Sequence, residues 1–460
     1  MAAMSYATAG RRHANADLNK LSPEDRPVHE WYRFVLSFPP HLVRKYVHEL
    51  SFDSSHRVLD PFCGTGTVLV ECKKLGIPSV GVEANPMAHF ATQIKLDWRP
   101  DPESLVSHAG LVAEAASREL ARDGIEDERS FPPRQVITKL RTLPVEAARL
   151  LLTESISPLP LHKTLVLLDC LDAHRDEHFD GHERLALARA LVTTIGNLQF
   201  GPEVGIGPAK TDAPVIAPWL AGVRAMADDL RLVANRGDVP ASVHHADSRQ
   251  LTSVLQANSI DGVITSPPYP NEKDYTRTTR LESVLLGFIS DRADLRALKQ
   301  GLLRSNTRGV YKADDDDRWI AEHAAIQRIA DAIEARRIEL GKTSGFERLY
   351  GRVTRLYFGG MARHLADLRT ILRPGARLAY VVGDQASYLR VMIRTGQLLA
   401  EIAQSLGYEV AGIDLFRTRL ATATREQLRE EVVLLRWPGR CAARGSAVRL
   451  ASDRLTLAAR

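Results

Sequence analysis

Apolar positions along the chain alternate between two rhythms. A short apolar run from Arg57 to Asp60 is followed by a stretch with helical spacing, Thr67 to Leu75, and then by a second apolar run, Ser79 to Glu83. The pattern predicts strand, helix, strand, the opening of a βαβ unit. Upstream, His41 to Leu50 predicts a short helix behind Pro39-Pro40, in a segment that begins near His29 and carries Trp31, Tyr32, Phe34 and Phe38. Residues 1–27 are small, polar and charged and read as a loosely ordered lead-in. The alternation returns with a strand ending near Asp247, a strand from Gly262 to Thr265, a helix from Tyr357 to Leu372 and a strand from Arg377 to Val382. A helix from Gly396 to Leu406 and strands at Glu409 to Phe416 and Val432 to Arg436 complete the set. Together they predict an α/β fold with one doubly wound, mostly parallel sheet.

Two stretches interrupt that sheet. One, rich in Ala, Leu and Arg, is mostly helical; the other is helical and highly charged. The expected organisation is a lead-in (1–27), a first core part (28–98), a helical insertion (99–235), a second core part (236–286), a charged helical insertion (287–349), a third core part (350–438) and a tail (439–460). The acidic run Asp314 to Asp317 reads as a solvated loop, since adjacent carboxylates repel and nothing spaces them around an ion.

Bulk properties narrow this little. With 460 residues, 44% hydrophobic and 25% charged, the chain can bury a full core. Lys plus Arg number 61 against 56 for Asp plus Glu, so a nucleic-acid surface requires local clustering of charge. Cys63, Cys72, Cys170 and Cys441 have neither disulfide nor metal-ligand spacing, so no metal is expected and a reducing cytoplasm fits. No apolar stretch is long enough to cross a bilayer, so no membrane partner is expected.

Two motifs carry chemistry. In DPFCGTGT (60–67), Asp60 ends a strand and Gly64 and Gly66 follow where the chain turns into a helix. Glycines there let the backbone pass close to a ligand, although a tight structural turn looks the same. Glu83, ending the next strand, stands where a carboxylate can grip ribose hydroxyls. Asp247, in HHADSRQL, stands where it can accept from an adenine amine, or serve merely as a helix cap. TSPPY (265–269) follows the apolar strand GVI, so Ser266, Pro267, Pro268 and Tyr269 lie at the carboxyl edge of the sheet. Consecutive prolines fix φ and leave carbonyls free, and the tyrosine ring offers a stacking face for a base. An exocyclic amine is a poor nucleophile because its lone pair is delocalised. A site that accepts its N–H hydrogens, here the Ser266 oxygen and the Pro267 carbonyl, favours the tetrahedral nitrogen that reacts.

With these residues the chain resembles the amino-methylating, cytosine-N4 and adenine-N6, site-specific DNA methyltransferases. DPFCGTGT resembles their motif I, VGVEANP motif II, HHADSRQL motif III and TSPPY the catalytic motif IV, while SFPPHLV (37–43) resembles the motif X that closes over the methionine end of the cofactor. The resemblance implies a Rossmann-like methyltransferase fold and S-adenosylmethionine as cofactor. It places Phe38, Pro39, Asp60, Pro61, Cys63, Gly64, Gly66 and Thr67 along that cofactor, with Glu83 at its ribose and Asp247 at its adenine. The serine form of motif IV is met in cytosine-N4 enzymes. Carbon-5 methylation is disfavoured, since it needs a cysteine after the Pro-Pro pair and this chain has Tyr269.

The partner this implies is duplex DNA with one base flipped out, and a separate restriction or defence partner is compatible with the family. Lys210, Arg304, Arg308, Arg417 and Arg419 are the candidate DNA contacts. Adenine-N6 methylation, methylation of an RNA guanine amine, and a catalytically silent DNA-binding subunit are the competing functions.

Overall fold

The computed structural model describes residues 20–33, 37–128, 140–200, 204–271, 273–420 and 427–439. Phe34, Cys441, residues 1–19 of the lead-in and all of the expected tail but Gly439 lie outside them. Its centre is a seven-stranded sheet formed by β1 (Val58–Asp60), β2 (Ser79–Glu83), β3 (Ala241–His245), β4 (Ile260–Thr265), β5 (Leu372–Gly383), β6 (Glu409–Leu420) and β7 (Gln427–Arg436). Their spatial order is β3-β2-β1-β4-β5-β7-β6. All neighbours run parallel except that β7 is antiparallel to both β5 and β6. Strand order reverses between β1 and β4, where Val58 pairs with Gly262 and Leu59 with Val263. In open α/β sheets that reversal leaves a crevice at the carboxyl ends of the two strands.

Side-chain alternation shows that both faces of the sheet are covered. Val58, Ile264, Ala379, Val381 and Val432 enter one core, shared with helices Pro40–Glu49 and Thr67–Leu75. Leu59, Val263, Leu378, Tyr380 and Val433 enter the other, against helices Tyr350–Ile371 and Thr395–Ser405. This is a doubly wound, three-layer fold.

The helical insertion contributes helices Pro102–Arg122, Pro158–Ala173, Asp180–Ala190 and Ile216–Val233. Leu105, Val112, Leu167, Leu187, Trp219 and Val223 belong to the same buried cluster as Val68 and Leu69, so these helices thicken the first layer. A buried ion pair, Lys163 to Asp212 at 2.8 Å, ties two of its segments.

Several elements differ from expectation. Residues 20–27 are ordered: Asp25 is buried and bonded by Arg44 at 2.7 Å. The helix expected from Tyr357 begins at Tyr350, its first turns burying Gly351, Val353 and Leu356, and further along it packs against residues 316–320. There Gly359 is required, since a Cβ would stand 2.0 Å from the Asp316 carbonyl oxygen. β6 and β7 run past their apolar stretches as a charged ribbon, with Arg417 opposite Glu430. The acidic run is only partly solvated. Asp316 is buried between Arg249 at 2.5 Å and Arg363 at 3.1 Å, and Asp314 accepts from Arg304 at 2.8 Å.

Candidate active site

The turn after β1 is built from glycines for two separate reasons. Gly64 and Gly66 both have positive φ, at 53° and 82°, which L-residues seldom adopt. At Gly66 a Cβ would also lie 2.9 Å from the Thr92 side chain. The loop is braced from behind. Thr92 donates to the Gly64 carbonyl at 2.8 Å, and the buried Lys95 ammonium donates to the Thr65 carbonyl at 3.1 Å. Burial pushes Lys95 well below its ordinary pKa. Its front edge carries two carboxylates. Glu83 accepts from the backbone of Gly64 and of Asn85, each at 2.8 Å, leaving a further lone pair on each oxygen. Asp60 accepts from Thr265 and Phe62 through Oδ1, whereas its buried Oδ2 has no partner among the described residues.

Burial raises both Asp60 and Glu83 to about 7, against the opposing pull of their hydrogen bonds. A ligand presenting an ammonium or a ribose diol donates best to the ionised carboxylates, so its affinity should rise between about pH 6 and 8. With pKa values raised in the fold, the free protein binds more protons than the unfolded chain between roughly pH 4 and 7. The free protein therefore loses stability as pH climbs through that window while ligand affinity grows. Calorimetric titration of S-adenosylhomocysteine from pH 5.5 to 8.5 checks this, and Glu83→Gln should flatten the profile.

Pro61 and Thr67 are buried at the two ends of the loop. Cys63 is also buried, and its Sγ stands 2.9 Å from where a Cβ on Gly81 would be, so the side chain packs onto β2 and only its backbone faces the loop. Phe38 packs on the first core, and Pro39 precedes the helix Pro40–Glu49 that lies against Thr67–Leu75.

TSPPY continues directly from β4. Thr265 Oγ1 donates to Asp60 Oδ1 at 2.6 Å, locking the start of this segment to the end of β1. Pro267 is buried, while Ser266, Pro268 and Tyr269 are half-buried. Burial pushes the Tyr269 hydroxyl well above its usual pKa, with Glu430 adding to the effect, so it stays protonated. The Tyr269 ring rests on Gly383, at the end of β5. A Cβ there would meet ring carbon Cε2 at 2.8 Å and the Glu430 side chain at 3.4 Å. The Gly383-Asp384 turn expected from the sequence thus also makes room for the ring. Gly383→Ala should displace the ring and lower methyl transfer by about tenfold, with ligand binding at the β1 loop unchanged. Paired turnover and titration measurements separate the two.

Asp247 lies two residues past β3, beside Glu83, whose carbonyl accepts from Ala246 N at 3.2 Å. Its carboxylate is already engaged: Arg249 reaches it through its backbone N–H, Nε and Nη2. Next to it opens a cleft of about 390 Å³ lined by Ala84, Pro86, Ala246, Asp247, Phe288 and Asp294 among others. The sequence reading missed Phe288 and Asp294, because only the fold brings the charged insertion against β2 and β3.

The candidate DNA contacts divide. Arg304, expected at DNA, is buried, and its guanidinium serves Asp314 and the carbonyls of Lys299, Gln300 and Leu302. Lys210 likewise donates to the Thr194 and Gly196 carbonyls. Arg417 is spent on Glu430. Arg308 is exposed over the Phe346 ring, and Arg419 is exposed beside the ribbon.

Residues 12–93 match the DNA methylase family model for N6 and N4 methyltransferases. Over 93% of its length the chain is 24% identical to the Type II methyltransferase M.BsoBI of Geobacillus stearothermophilus, covering 87% of that protein. Identity to the Type II methyltransferase M.AvaI of a Nostoc species is also 24%, over 90% of this chain and 87% of that one. The chain is thus similar to the N6 and N4 DNA methylases over residues 12–93 and to Type II methyltransferases over about nine-tenths of its length. Among solved structures, the rRNA methyltransferase aviRa of Streptomyces viridochromogenes matches at 11% identity and a TM-score of 0.32, over 91% of this chain and 95% of that one. That score is too low to carry the fold, which rests on the strand order. S-adenosylmethionine is the methyl donor of this methyltransferase, and the residues present suit it. The unpartnered Asp60 oxygen fits an ammonium, the spare Glu83 lone pairs fit a diol, and the largely apolar cleft beyond fits a flat ring. Among the described residues, no helix is long and apolar enough to cross a membrane.

Proposed function

We propose that this methyltransferase modifies the N4 amine of a cytosine flipped out of duplex DNA, within a defined sequence. One observation carries the reading: the 2.6 Å bond from Thr265 to Asp60, which holds the Ser-Pro-Pro-Tyr turn against the loop suited to the cofactor. When bound, S-adenosylmethionine supplies a methyl group made electrophilic by its sulfonium sulfur. The chain's own part is to prepare the amine. The Ser266 oxygen and the Pro267 carbonyl accept its two hydrogens and draw the nitrogen toward the tetrahedral geometry in which its lone pair is available. Tyr269 offers a ring face to the base. After transfer the nitrogen releases a proton to water, and the Ser266 hydroxyl can relay it by passing on its own proton as it accepts the one from nitrogen.

Two relatives named as Type II methyltransferases, each aligned over nine-tenths of this chain, support a sequence-specific DNA substrate. Ser266 at the head of the motif supports cytosine over adenine. Digesting methylated DNA to nucleosides tests the base: N4-methylcytosine is expected, and N6-methyladenine in its place assigns the same pocket to adenine.

A further inference from the structure

We propose that the charged insertion carries the surface that grips the DNA backbone, and that Arg296 and Arg308, each laid over an aromatic ring, are two of its phosphate contacts. The proposal rests on duplex DNA as the substrate and names the face of the chain that meets it.

The arginines of the insertion are held in two ways. Arg304 is buried and its charge is met by Asp314 at 2.8 Å, while Arg318, Arg336 and Arg337 are matched by Asp315, Glu339 and Glu334. A carboxylate fixes a guanidinium and neutralises it. Arg296, on the helix Arg292–Gly301, and Arg308 are both exposed, and among the described residues neither makes an ion pair. Instead the Arg308 guanidinium carbon lies 5.6 Å from the centre of the Phe346 ring, and that of Arg296 lies 5.4 Å from the centre of the Tyr311 ring. A ring face orients a guanidinium and leaves its charge and its N–H donors free for an anion. Phe346 is 52% exposed and among the described residues packs on none of the buried hydrophobic clusters, so the contact that accounts for its place is the arginine above it. Lys312 and Arg348, next in the chain to Tyr311 and two beyond Phe346, are also exposed and make no ion pair among the described residues. Here is the local clustering of free positive charge that a nucleic-acid surface requires.

The segment 304–311, which bears Arg308 and Tyr311, is fastened beside the base pocket. Asn306 Nδ2 donates to the Lys273 carbonyl at 3.1 Å, Lys273 N donates to Asn271 Oδ1 at 3.0 Å, and Asn271 N donates to the Tyr269 carbonyl at 2.8 Å. A short chain of hydrogen bonds thus joins the segment to the catalytic turn. From the far side Tyr388, which follows β5, donates to the Ser305 carbonyl at 3.0 Å. The segment therefore lies between the chain leaving β4 and the chain leaving β5, at the carboxyl edge of the sheet. A base flipped into the Ser-Pro-Pro-Tyr turn brings its flanking phosphates to that edge, where fixed, unneutralised guanidinium groups can meet them.

The test is fluorescence anisotropy of a labelled duplex of arbitrary sequence, titrated with the full-length chain over a range of salt concentrations, with tRNA as a second probe. Arg296→Ala and Arg308→Ala should each reduce the slope of log affinity against log salt by about one, the loss of one phosphate contact. Phe346→Ala keeps the charge, so it should keep the slope and weaken binding by about threefold through loss of the ring beneath the guanidinium. Arg224→Ala removes an exposed arginine, also without an ion pair among the described residues, from the helical insertion and should change neither quantity. A slope unchanged in both arginine variants, or reduced equally by Arg224→Ala, overturns the assignment while duplex binding by wild type leaves the DNA reading in place. Arginine variants that lose affinity for tRNA and not for duplex give the surface to RNA and overturn it. Wild type that binds no duplex overturns the assignment and the DNA reading together.

Discussion

Tyr269→Ala should lower methyl transfer on the order of 10²-fold, the upper range for one lost base–aromatic stack, while the affinity for S-adenosylhomocysteine changes by less than about twofold. The ring lies on Gly383 at the end of β5, two strands from β1, so its removal should touch the pocket for the base rather than the Glu83 contacts. Tyr269→Phe keeps the ring and should retain most activity, because burial holds the hydroxyl protonated and it does not release its proton near neutral pH. Single-turnover kinetics with saturating cofactor make the comparison. Equal losses in the two variants would assign the effect to the hydroxyl and contradict stacking.

Arg249→Met should be the most damaging single change to stability. Arg249 stands between two carboxylates, Asp247 and Asp316, with its own side chain 7% exposed. Removing it leaves Asp316 buried with the half-buried Arg363 as its one ion-pair partner among the described residues. Breaking a buried ionic network by deleting one member costs about 3–5 kcal/mol, since an uncompensated charge stays behind. Arg363→Ala, removing a more exposed partner at 27%, should cost only about 1 kcal/mol. Thermal or denaturant unfolding of the two variants gives the ranking. An Arg249→Met protein as stable as wild type would mean that the network contributes no net stability.

How much of this could be read from sequence follows from the range of the interactions. The β1 loop was legible because its signals are local: an apolar run, two glycines at forced backbone angles, then an amphipathic helix whose bounds came out as expected at Thr67 and Leu75. β2 was equally plain, bounded by Pro78 and by Asn85, which caps the next helix. The rest of the sheet needed the recurrence of the same pattern after residue 240, and the apolar runs of β4 and β5 supplied it, while the strand order came from the structure. Long-range pairings left no such trace. Nothing near Asp316 announces Arg249, 67 residues earlier, so the acidic run read as solvated loop. Arg304 read as a DNA contact because an arginine among polar neighbours looks the same in sequence whether its guanidinium faces phosphate or the carbonyls of its own helix end. Asp247 was found where expected, but its ion pair with Arg249 was the overlooked local signal, a carboxylate with an arginine two positions on. Gly383 is visible in sequence only as a turn residue, and its contact with Tyr269 exists because β4 and β5 are neighbours in the sheet.

The central claim is that the turn after β4 presents a DNA base amine to the cofactor held at β1. Incubating the chain with methyl-labelled S-adenosylmethionine and either duplex DNA of varied sequence or tRNA, then locating the label by nucleoside analysis, tests it most directly. The account predicts label in duplex DNA, on an exocyclic amine and at a recurring sequence, with none in tRNA. Label in tRNA alone, or on carbon 5 of cytosine, would contradict it.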